Sequence, residues 1–334
     1  MATFSRRQFL QLTSTALLTS AFAPLPRDDD WPHTLGRVTT QYLRVRLRPT
    51  SNAKHVGWKV YDEIVKIYGQ VTDDEGRQWH EIVGGYIQAA EVQPVTRRLN
   101  LVTPRIPASG CLGEVTIPFA DARRRPDSLA PIAYRLYYAS TYWIRDVVKD
   151  ADGIQWYKLY DERLGVFYYA TASAVRIILA EELLPINPDQ ESKRIVVNLK
   201  EQRLSAYEAG REVFTALISS GRLYTADDGA VRSHTPAGEF IVDRKRPSRH
   251  MGNGDAAGSD YELPGVPWVS YFHWKGFSFH GTWWHNDFGR PRSAGCINLR
   301  PEEARWIYRW SQPTPLPDQE LTTGDGTRVE IVED

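Results

Sequence analysis

Cysteine and net charge are both scarce in this chain of 334 residues. Only two cysteines occur, Cys111 and Cys296, so a disulfide-stapled scaffold is excluded and at most one bridge could form. Lys and Arg total 41 and Asp and Glu total 41, so no net field draws the chain to nucleic acid or to an anionic membrane. No segment reaches the run of about 20 apolar residues that a membrane-spanning helix needs, so we expect no stable span in the mature protein.

The residues that are abundant favour short strands. Aromatic residues make up 12% of the chain, and 24 glycines and 21 prolines accompany them, which favours strands and turns over a helical bundle. Apolar residues at 42% and charged residues at 25% are an ordinary globular mixture, which argues against disorder. The length allows two or three domains of about 100–150 residues each.

The N-terminus has the order of an export signal. Residues 5–10 read Ser-Arg-Arg-Gln-Phe-Leu, and a mildly apolar run then leads to the small residues before Pro24. The paired arginines resemble the twin-arginine signals of prokaryotic export. We therefore expect residues 1–27 to be a signal peptide and the mature protein to work outside the cytoplasm, in the periplasm, the cell wall or the extracellular space. Pro24 leaves the cleavage position open.

A segment of the chain repeats at a spacing of 77 residues. The matching positions are Gly36 and Gly113, Val38 and Val115, Arg46 and Arg123, Pro49 and Pro126, and Trp79 and Trp156. Each copy shows short alternating stretches and a polar turn before its tryptophan, so we infer a duplication. Short strands of this kind suit a small closed barrel. We predict that Trp79 and Trp156 fill cores rather than form a binding face, because large aromatic residues usually do.

The two copies resemble bacterial SH3-like domains. The resemblance rests on the R-x-R-x-x-P opening of the first copy, on the polar turn and on the G-x-x-W strand, and it covers residues 36–95 and 113–180. Modules of that family dock exported enzymes onto the cell wall, while others are spacers.

The last part of the chain predicts strands, turns and one helix. Apolar runs at 195–199, 203–207 and 213–218 predict hairpins, and Thr235–Phe240 predicts a turn followed by a strand. Glycine and proline crowd residues 247–267, which predicts a long loop. Pro301 with two following glutamates predicts a helix that reaches Trp310.

Cys296 is the candidate nucleophile of this region. Only a thiolate attacks well, so a catalytic cysteine needs a nearby imidazole to take its proton. All eight histidines precede Cys296, and His280 and His285 are the nearest of them. Alternation in residues 277–280 places Ser278 and His280 on one face of a strand. Gly295 permits a tight backbone that could aim N–H groups at an oxyanion.

This constellation resembles the L,D-transpeptidase (YkuD) family. The family pattern is a His-Gly, a spacer of about fifteen residues, then Ser/Thr-His-Gly-Cys, an apolar residue and Asn or Arg. This chain reads His280-Gly281-Thr282 and then Ser293-Ala294-Gly295-Cys296-Ile297-Asn298. The resemblance covers residues 193–333, including the T-P-x-G-x-F segment and a final strand at 327–331. Ala294 departs from the pattern, since the family usually has histidine there.

The resemblance implies a fold, a reaction and a set of roles. The fold class is mainly β: two small SH3-like barrels, then a mixed β-sandwich catalytic domain with one or two short helices. The enzyme would acylate its cysteine with a stem tetrapeptide of peptidoglycan, release D-alanine and transfer the peptide to an acceptor amine. It would need no metal or organic cofactor, would be inhibited covalently by carbapenem-type β-lactams, and would be a monomer. The implied roles are nucleophile Cys296, base His280, oxyanion and support residues Gly295, Ser293, Thr282 and Asn298, and substrate-binding residues Arg292, His285 and Trp284.

Several alternatives remain open. His285 could be cleft wall, a second base or a structural residue. A zinc site from His280, His285, Asp287 and Cys296 is disfavoured because close-spaced paired ligands are absent. A papain-like wall endopeptidase of the NlpC type has its histidine after the cysteine, unlike this chain. A catalytically silent wall-binding protein and a cysteine peptidase acting on stem peptides are the other two hypotheses.

Overall fold

The computed structural model describes residues 34–225, 229, 231–252 and 262–333. Within these residues the chain is mainly β-strand, arranged in several sheets with one α-helix, so the predicted fold class is confirmed. The predicted signal segment, residues 1–27, lies outside them. In this described part, no helix has the length and apolar character needed to cross a membrane.

The first repeat folds into two antiparallel sheets. Its strands are β1 (Thr34–Val38), β2 (Tyr42–Arg46), β3 (His55–Val60), β4 (Ile64–Ile67), β5 (Gly69–Thr72), β6 (Gln78–Ile82), β7 (Gly85–Gln88) and β8 (Val92–Val95). The strand orders are β4-β1-β8 and β3-β2-β7-β6-β5. Apolar side chains of both sheets, among them Val38, Val45 and Ile87, form one buried core. A short 3-10 helix at Ala89–Glu91 joins β7 to β8.

The second repeat forms one seven-stranded sheet. Its strands are β9 (Cys111–Val115), β10 (Phe119–Arg123), β11 (Ile132–Tyr137), β12 (Thr141–Lys149), β13 (Gln155–Asp161), β14 (Val166–Thr171) and β15 (Val175–Ile177), in the order β11-β10-β14-β13-β12-β9-β15. Further 3-10 turns follow at Ala172–Ala174 and Ala180–Leu183. Strands of both repeats alternate buried and exposed residues, as expected for sheets with one face on a core.

Two side-chain contacts recur at equivalent positions of the repeats. In the first, an arginine donates to a backbone carbonyl: Arg46 Nη1 to Ala53 O at 2.9 Å, and Arg123 Nη1 to Ala130 O at 2.6 Å. In the second, a tryptophan donates to an aspartate: Trp79 Nε1 to Asp73 Oδ2 at 2.9 Å, and Trp156 Nε1 to Asp150 Oδ2 at 2.8 Å. Each indole N–H therefore binds the carboxylate of its polar turn, while the ring lies inside the protein. Trp79 and Trp156 are almost fully buried, which confirms the prediction that both fill cores.

The last part of the chain stacks two five-stranded sheets and a helix. Its elements are β16 (Lys193–Asn198), β17 (Arg203–Glu208), β18 (Arg211–Leu217), β19 (Leu223–Thr225), β20 (Val231–Ser233), β21 (Gly238–Ile241), β22 (Arg244–Gly252), β23 (Glu262–Tyr271), β24 (Ser278–Gly281), β25 (Ile297–Leu299), α1 (Pro301–Trp310), β26 (Thr322–Thr323) and β27 (Arg328–Val332). One sheet has the order β18-β17-β16-β27-β21 and the other β25-β24-β23-β22-β26. The strands β19 and β20 form a separate pair.

The hydrophobic core of this part lies between the two sheets and the helix. Ile195 and Ile331 from one sheet meet Phe279 and Ile297 from the other, and Ile307 of α1 joins them. The helix spans the predicted residues because Pro301 stands at its start and the Glu303 carboxylate accepts the backbone N–H of Arg300 at 3.0 Å. The predicted hairpins at 195–199, 203–207 and 213–218 are confirmed as β16, β17 and β18.

The prediction of a long loop at 247–267 is wrong for residues 247–252 and 262–267, and residues 253–261 lie outside the described residues. Residues 244–252 and 262–271 are the paired antiparallel strands β22 and β23. The second repeat packs against this pair of strands and binds the backbone of their prolines. Thr141 Oγ1 donates to Pro247 O at 2.7 Å, and Tyr142 OH donates to Pro264 O at 2.9 Å. At Gly265, φ is +74° and a Cβ would overlap the Tyr142 ring. Tertiary packing therefore overrides the local turn signal.

Replacing Gly265 tests this close approach. We expect Gly265→Ala to lower the free energy of unfolding by about 2–4 kcal/mol, because it combines an unfavourable φ with overlap on the Tyr142 ring. Gly210→Ala is the control, since Gly210 has φ +84° but no atom within 4 Å of an added Cβ. That variant should lose only about 1 kcal/mol. Denaturant unfolding followed by tryptophan fluorescence measures both, and equal losses would contradict the packing explanation.

Candidate active site

Two neighbouring parallel strands position the candidate nucleophile and base. Strand β24 pairs with β25 so that Phe279 is opposite Ile297 and His280 is opposite Asn298. Cys296 directly precedes β25 and therefore lies beside Ser278, at the start of β24. Since side chains two residues apart on a strand share a face, Ser278 and His280 line the face that Cys296 joins.

The thiol of Cys296 is half-buried and contacts Ser278. Its Sγ lies 3.6 Å from Ser278 Oγ and 4.0 Å from the carbonyl oxygen of Gly276. Burial raises the pKa of the thiol, and hydrogen bonds from the Ser278 hydroxyl and N–H oppose that rise by stabilising the thiolate. The resting residue is consequently a thiol that needs a base before it can attack.

The imidazole of His280 is buried and neutral near pH 7. Burial lowers its pKa to about 4, because the surroundings disfavour an imidazolium. Its Nδ1 lies 3.1 Å from the carbonyl oxygen of Gly281, which can only accept a hydrogen bond. The ring proton therefore belongs on Nδ1, and Nε2 keeps the lone pair of a general base. Both the thiol and the imidazole are therefore neutral near pH 7.

The turn before Cys296 is held by Ser293. The Ser293 hydroxyl donates to the Cys296 carbonyl at 2.6 Å and accepts the Gly295 N–H at 3.0 Å. This bracing role agrees with the expectation for Ser293. The Gly295 N–H, which the sequence predicted as an oxyanion donor, is bound to the Ser293 hydroxyl in this structure. Gly295 is needed for another reason: its φ is +136° and a Cβ would overlap the Phe277 ring.

Thr282 does not orient the base in the way the sequence suggested. Its backbone N–H donates to the Leu299 carbonyl at 2.9 Å, and its buried Oγ1 has no partner among the described residues. The group that orients His280 is the neighbouring Gly281 carbonyl. Thr282 thus joins β24 to β25 through its backbone alone.

Asn298, which is opposite His280 on β25, contacts His285. The Asn298 amide nitrogen lies 2.9 Å from His285 Nε2, and His285 Nδ1 accepts the Asp287 N–H at 3.2 Å. Burial lowers the pKa of His285 to about 3, and the charge of Arg292 adds to the effect. Because Nδ1 accepts the Asp287 N–H, a neutral His285 ring carries its proton on Nε2, which faces the Asn298 side-chain amide. His285 thus joins its loop to β25.

Trp284 and Arg292 are more exposed to solvent than His280 and His285. The Trp284 indole is half-buried, and its centroid is 5.6 Å from that of the His280 ring. The Arg292 guanidinium is exposed and pairs with Asp287 at 3.4 Å and with Glu91 of the first repeat at 3.7 Å. Trp284 is therefore well placed as a wall beside the base, whereas Arg292 is held by two carboxylates. In the described part of the chain, no group of three or more His, Cys, Asp or Glu side chains is gathered for a metal.

The comparisons with known proteins name one family. The family model described as "L,D-transpeptidase catalytic domain" (YkuD) matches residues 192–331. Residues 192–331 are an L,D-transpeptidase catalytic domain. The chain is 32% identical over 133 residues to the protein named "Putative L,D-transpeptidase YciB" of Bacillus subtilis, covering 36% of this chain and 63% of the relative. It is 29% identical over 116 residues to "Putative L,D-transpeptidase YkuD" of Bacillus licheniformis, covering 34% of this chain and 56% of the relative.

The matches extend over only part of each protein. The chain covers less than two thirds of the length of both curated relatives. Among solved structures, the L,D-transpeptidase of Xylanimonas cellulosilytica is 26% identical with a TM-score of 0.29, covering 42% of this chain and 60% of that chain.

Two supporting residues of the L,D-transpeptidase domain were not assigned roles from the sequence. Ser278 contacts the thiol, and strand alternation already placed it on the face of His280. Thr235, in the T-P-x-G-x-F segment, is fully buried, donates to the Gly295 carbonyl at 2.8 Å and accepts the Gly221 N–H at 2.7 Å. The sequence motif includes Thr235, but only the fold shows that Thr235 holds the turn before Cys296.

Removing the Ser278 hydroxyl tests its effect on the thiol. We expect Ser278→Ala to raise the pKa of Cys296 further and to slow its alkylation by iodoacetamide at pH 8 about three- to tenfold. Peptide mass spectrometry measures alkylation at Cys296 over time. Ser270→Ala is the matched control, because its buried hydroxyl lies on the adjacent strand β23 and has no partner among the described residues. Unchanged alkylation in Ser278→Ala would show that the hydroxyl leaves the thiolate unaffected.

Proposed function

We propose that this chain is an exported L,D-transpeptidase that joins peptidoglycan stem peptides through a thioester on Cys296. One arrangement supports the proposal above all: a thiol beside a strand whose neutral imidazole keeps Nε2 free as a base. The domain match supplies the reaction class, and the family resemblance supplies the substrate class.

In the first half-reaction, Cys296 Sγ attacks the carbonyl carbon of the third residue of a donor tetrapeptide. His280 Nε2 takes the thiol proton as the carbon–sulfur bond forms. Collapse of the tetrahedral adduct breaks the peptide bond to the fourth residue. The imidazolium returns its proton to the departing amine, so D-alanine leaves and the donor remains on sulfur as a thioester.

In the second half-reaction, the amine of an acceptor stem peptide attacks the thioester carbonyl. His280 takes a proton from the attacking nitrogen and passes it to sulfur as the carbon–sulfur bond breaks. A new amide joins the two peptides, and the thiol and the neutral imidazole are restored.

Both tetrahedral adducts carry an oxyanion that needs hydrogen-bond donors. We assign this role to the Cys296 N–H, because Gly295 N–H is bound to Ser293 in the resting enzyme. Ser293 and Thr235 keep the turn in the shape that presents this N–H.

Ala294 does not disable this chemistry. Its side chain is exposed, whereas Cys296 Sγ contacts Ser278 on β24 and Gly276 shortly before that strand. The histidine that the family usually has at this position would occupy the solvent side of the turn. The base that the mechanism requires is His280, which this chain retains.

Export and wall association belong to the same proposal. Twin-arginine export rests on the resemblance of residues 1–27, and docking on the wall rests on the SH3-like resemblance of residues 36–95 and 113–180. We assign Trp284, His285 and Arg292 to the wall of the substrate cleft, with Trp284 nearest to the base. The enzyme would act as a monomer.

Covalent labelling with a carbapenem tests the nucleophile. A carbapenem ring-opened by Cys296 should add its full mass to the protein, and Cys296→Ala should abolish the adduct. Cys111→Ala is the matched control, because burial raises the pKa of the Cys111 thiol to about 11 and leaves it unreactive. Intact-mass spectrometry reads all three proteins, and the control should be labelled to the same extent as the unaltered protein.

Other outcomes of this experiment separate the alternatives. Absence of an adduct on the unaltered protein would favour a catalytically silent wall-binding protein. An adduct together with hydrolysis of stem tetrapeptides, but no transfer to an acceptor amine, would favour a cysteine peptidase.

The pH dependence of acylation tests the protonation state of the base. Because His280 has a lowered pKa of about 4, its neutral form predominates above that pH. We therefore expect the acylation rate to stay nearly constant as the pH falls from 7 to 5 and to drop on passing through about 4. Stopped-flow fluorescence of carbapenem acylation measures the profile. A half-maximal rate close to pH 6.5, the value of an unperturbed histidine, would contradict the buried neutral imidazole.

A further inference from the structure

A single arginine of the first repeat reaches the loop that follows the candidate base. Arg37, on β1, is fully buried, although arginine is almost never buried unless it is paired. Its Nε and Nη2 donate to Gln93 Oε1 at 3.1 and 2.9 Å, and its Nη1 pairs with Asp62 at 2.8 Å. Its Nη2 also donates to the Trp283 carbonyl oxygen at 2.6 Å. The guanidinium thus joins residues separated by 246 positions in the chain.

The same guanidinium is enclosed by aromatic rings. The Arg37 Cζ lies 4.2 Å from the centroid of the Tyr137 ring, which belongs to the second repeat. Tyr137 in turn stacks on the Trp283 indole, with centroids 4.2 Å apart and planes at 23°. We call Arg37, Asp62, Gln93, Tyr137 and Trp283 the Arg37 junction. All three parts of the chain meet there. An arginine suits this position because its planar guanidinium can stack on aromatic rings and donate hydrogen bonds in several directions.

A second set of contacts fixes the other end of the loop. The Asn286 N–H donates to the Ala90 carbonyl at 3.0 Å, and the Asn286 amide donates to the Ala89 carbonyl at 3.2 Å. Arg292 pairs with Glu91 at 3.7 Å. The short 3-10 helix of the first repeat therefore holds the loop downstream of the Arg37 junction.

Trp284 and His285 lie between these two attachments. Trp284 is the side chain beside His280, and His285 contacts Asn298 on β25. Trp284 directly follows Trp283 and His285 directly precedes Asn286, and the first repeat binds both Trp283 and Asn286. A shift of the Trp283 carbonyl would move the wall of the cleft relative to the base.

The equivalent position of the second repeat shows that this role is specific to Arg37. The repeat spacing places Glu114 there, and Glu114 pairs with Arg176 inside its own part of the chain at 2.6 Å. A buried arginine is thus not a requirement of the repeated fold. It occurs in the copy that donates a hydrogen bond to the Trp283 carbonyl.

We propose that Arg37 is a positioning residue of the transpeptidase: it holds residues 283–286 so that Trp284 forms the cleft wall beside His280. The kinetic part of this proposal rests on the proposed function, whereas the positioning itself does not. It makes the first repeat part of the active-site structure and not a detachable module.

Hydrogen–deuterium exchange tests the positioning without any chemistry. In the full chain carrying Cys296→Ala, adding Arg37→Ala should speed exchange of the Asn286 and Asp287 amides at least about tenfold. Arg37→Lys keeps the positive charge but loses the several N–H donors of the guanidinium, and it should speed exchange by a smaller factor. Arg77→Ala is the matched control, because Arg77 is ion-paired with Asp73 and Glu75 within the first repeat. Unchanged exchange at 286 and 287 in both Arg37 variants would overturn the proposal.

Kinetics separate positioning from general destabilisation. In the chain with Cys296 intact, Arg37→Lys should raise the KM for a donor tetrapeptide about tenfold, since a displaced wall weakens substrate placement. Alkylation of Cys296 by iodoacetamide should stay unchanged, because Ser278 and Gly276 set the thiol's surroundings. An alkylation rate that falls by the same factor as the KM rises, or an unchanged KM, would contradict positioning.

Failure of the two proposals can be told apart. If the unaltered protein forms no transfer product, the proposed function fails while the exchange result still decides the role of Arg37. If transfer occurs and exchange at 286 and 287 does not respond to Arg37, only the positioning proposal fails.

Discussion

The site depends on the register of two short parallel strands. Pairing of β24 with β25 sets Cys296 beside Ser278 and sets His280 two residues further along the same face. A one-residue slip would turn His280 into the core and bring Phe279 to the thiol, because successive strand residues point to opposite faces. The buried core around Phe279 and Ile297 fixes this register, so the hydrophobic interior and the reactive pair depend on the same contacts.

Burial shapes the chemistry as well as the fold. It raises the pKa of the thiol and lowers the pKa of the imidazole, which makes the resting pair neutral rather than ionic. Ser278 limits the cost of forming the thiolate, and the Gly281 carbonyl sets the tautomer of the base. The turn that presents Cys296 is held from two sides, by Ser293 and Thr235. These contacts come from β24, from the turn before Cys296 and from the segment before β21, and none comes from an exposed side chain.

The sequence alone predicted the features that local patterns encode. Alternation and the His-Gly and Gly-Cys motifs placed His280 and Cys296, and the proline and glutamates placed helix α1 within its actual bounds. The loop prediction was wrong for residues 247–252 and 262–267, because composition does not reveal the close approach of Tyr142 at Gly265. The oxyanion role of Gly295 stays a prediction, and the sequence did not reveal that the Ser293 hydroxyl accepts the Gly295 N–H. The Arg37 junction lay beyond sequence reasoning, since its partners are scattered over three parts of the chain.

Nitrogen NMR of the histidine rings measures the central claim most directly. In uniformly ¹⁵N-labelled protein at pH 7, the ring assigned to His280 by its loss in His280→Gln should show a protonated Nδ1 and a bare Nε2. That result would establish a neutral base whose lone pair is available to the thiol. A doubly protonated ring, or a proton on Nε2 alone, would contradict the account.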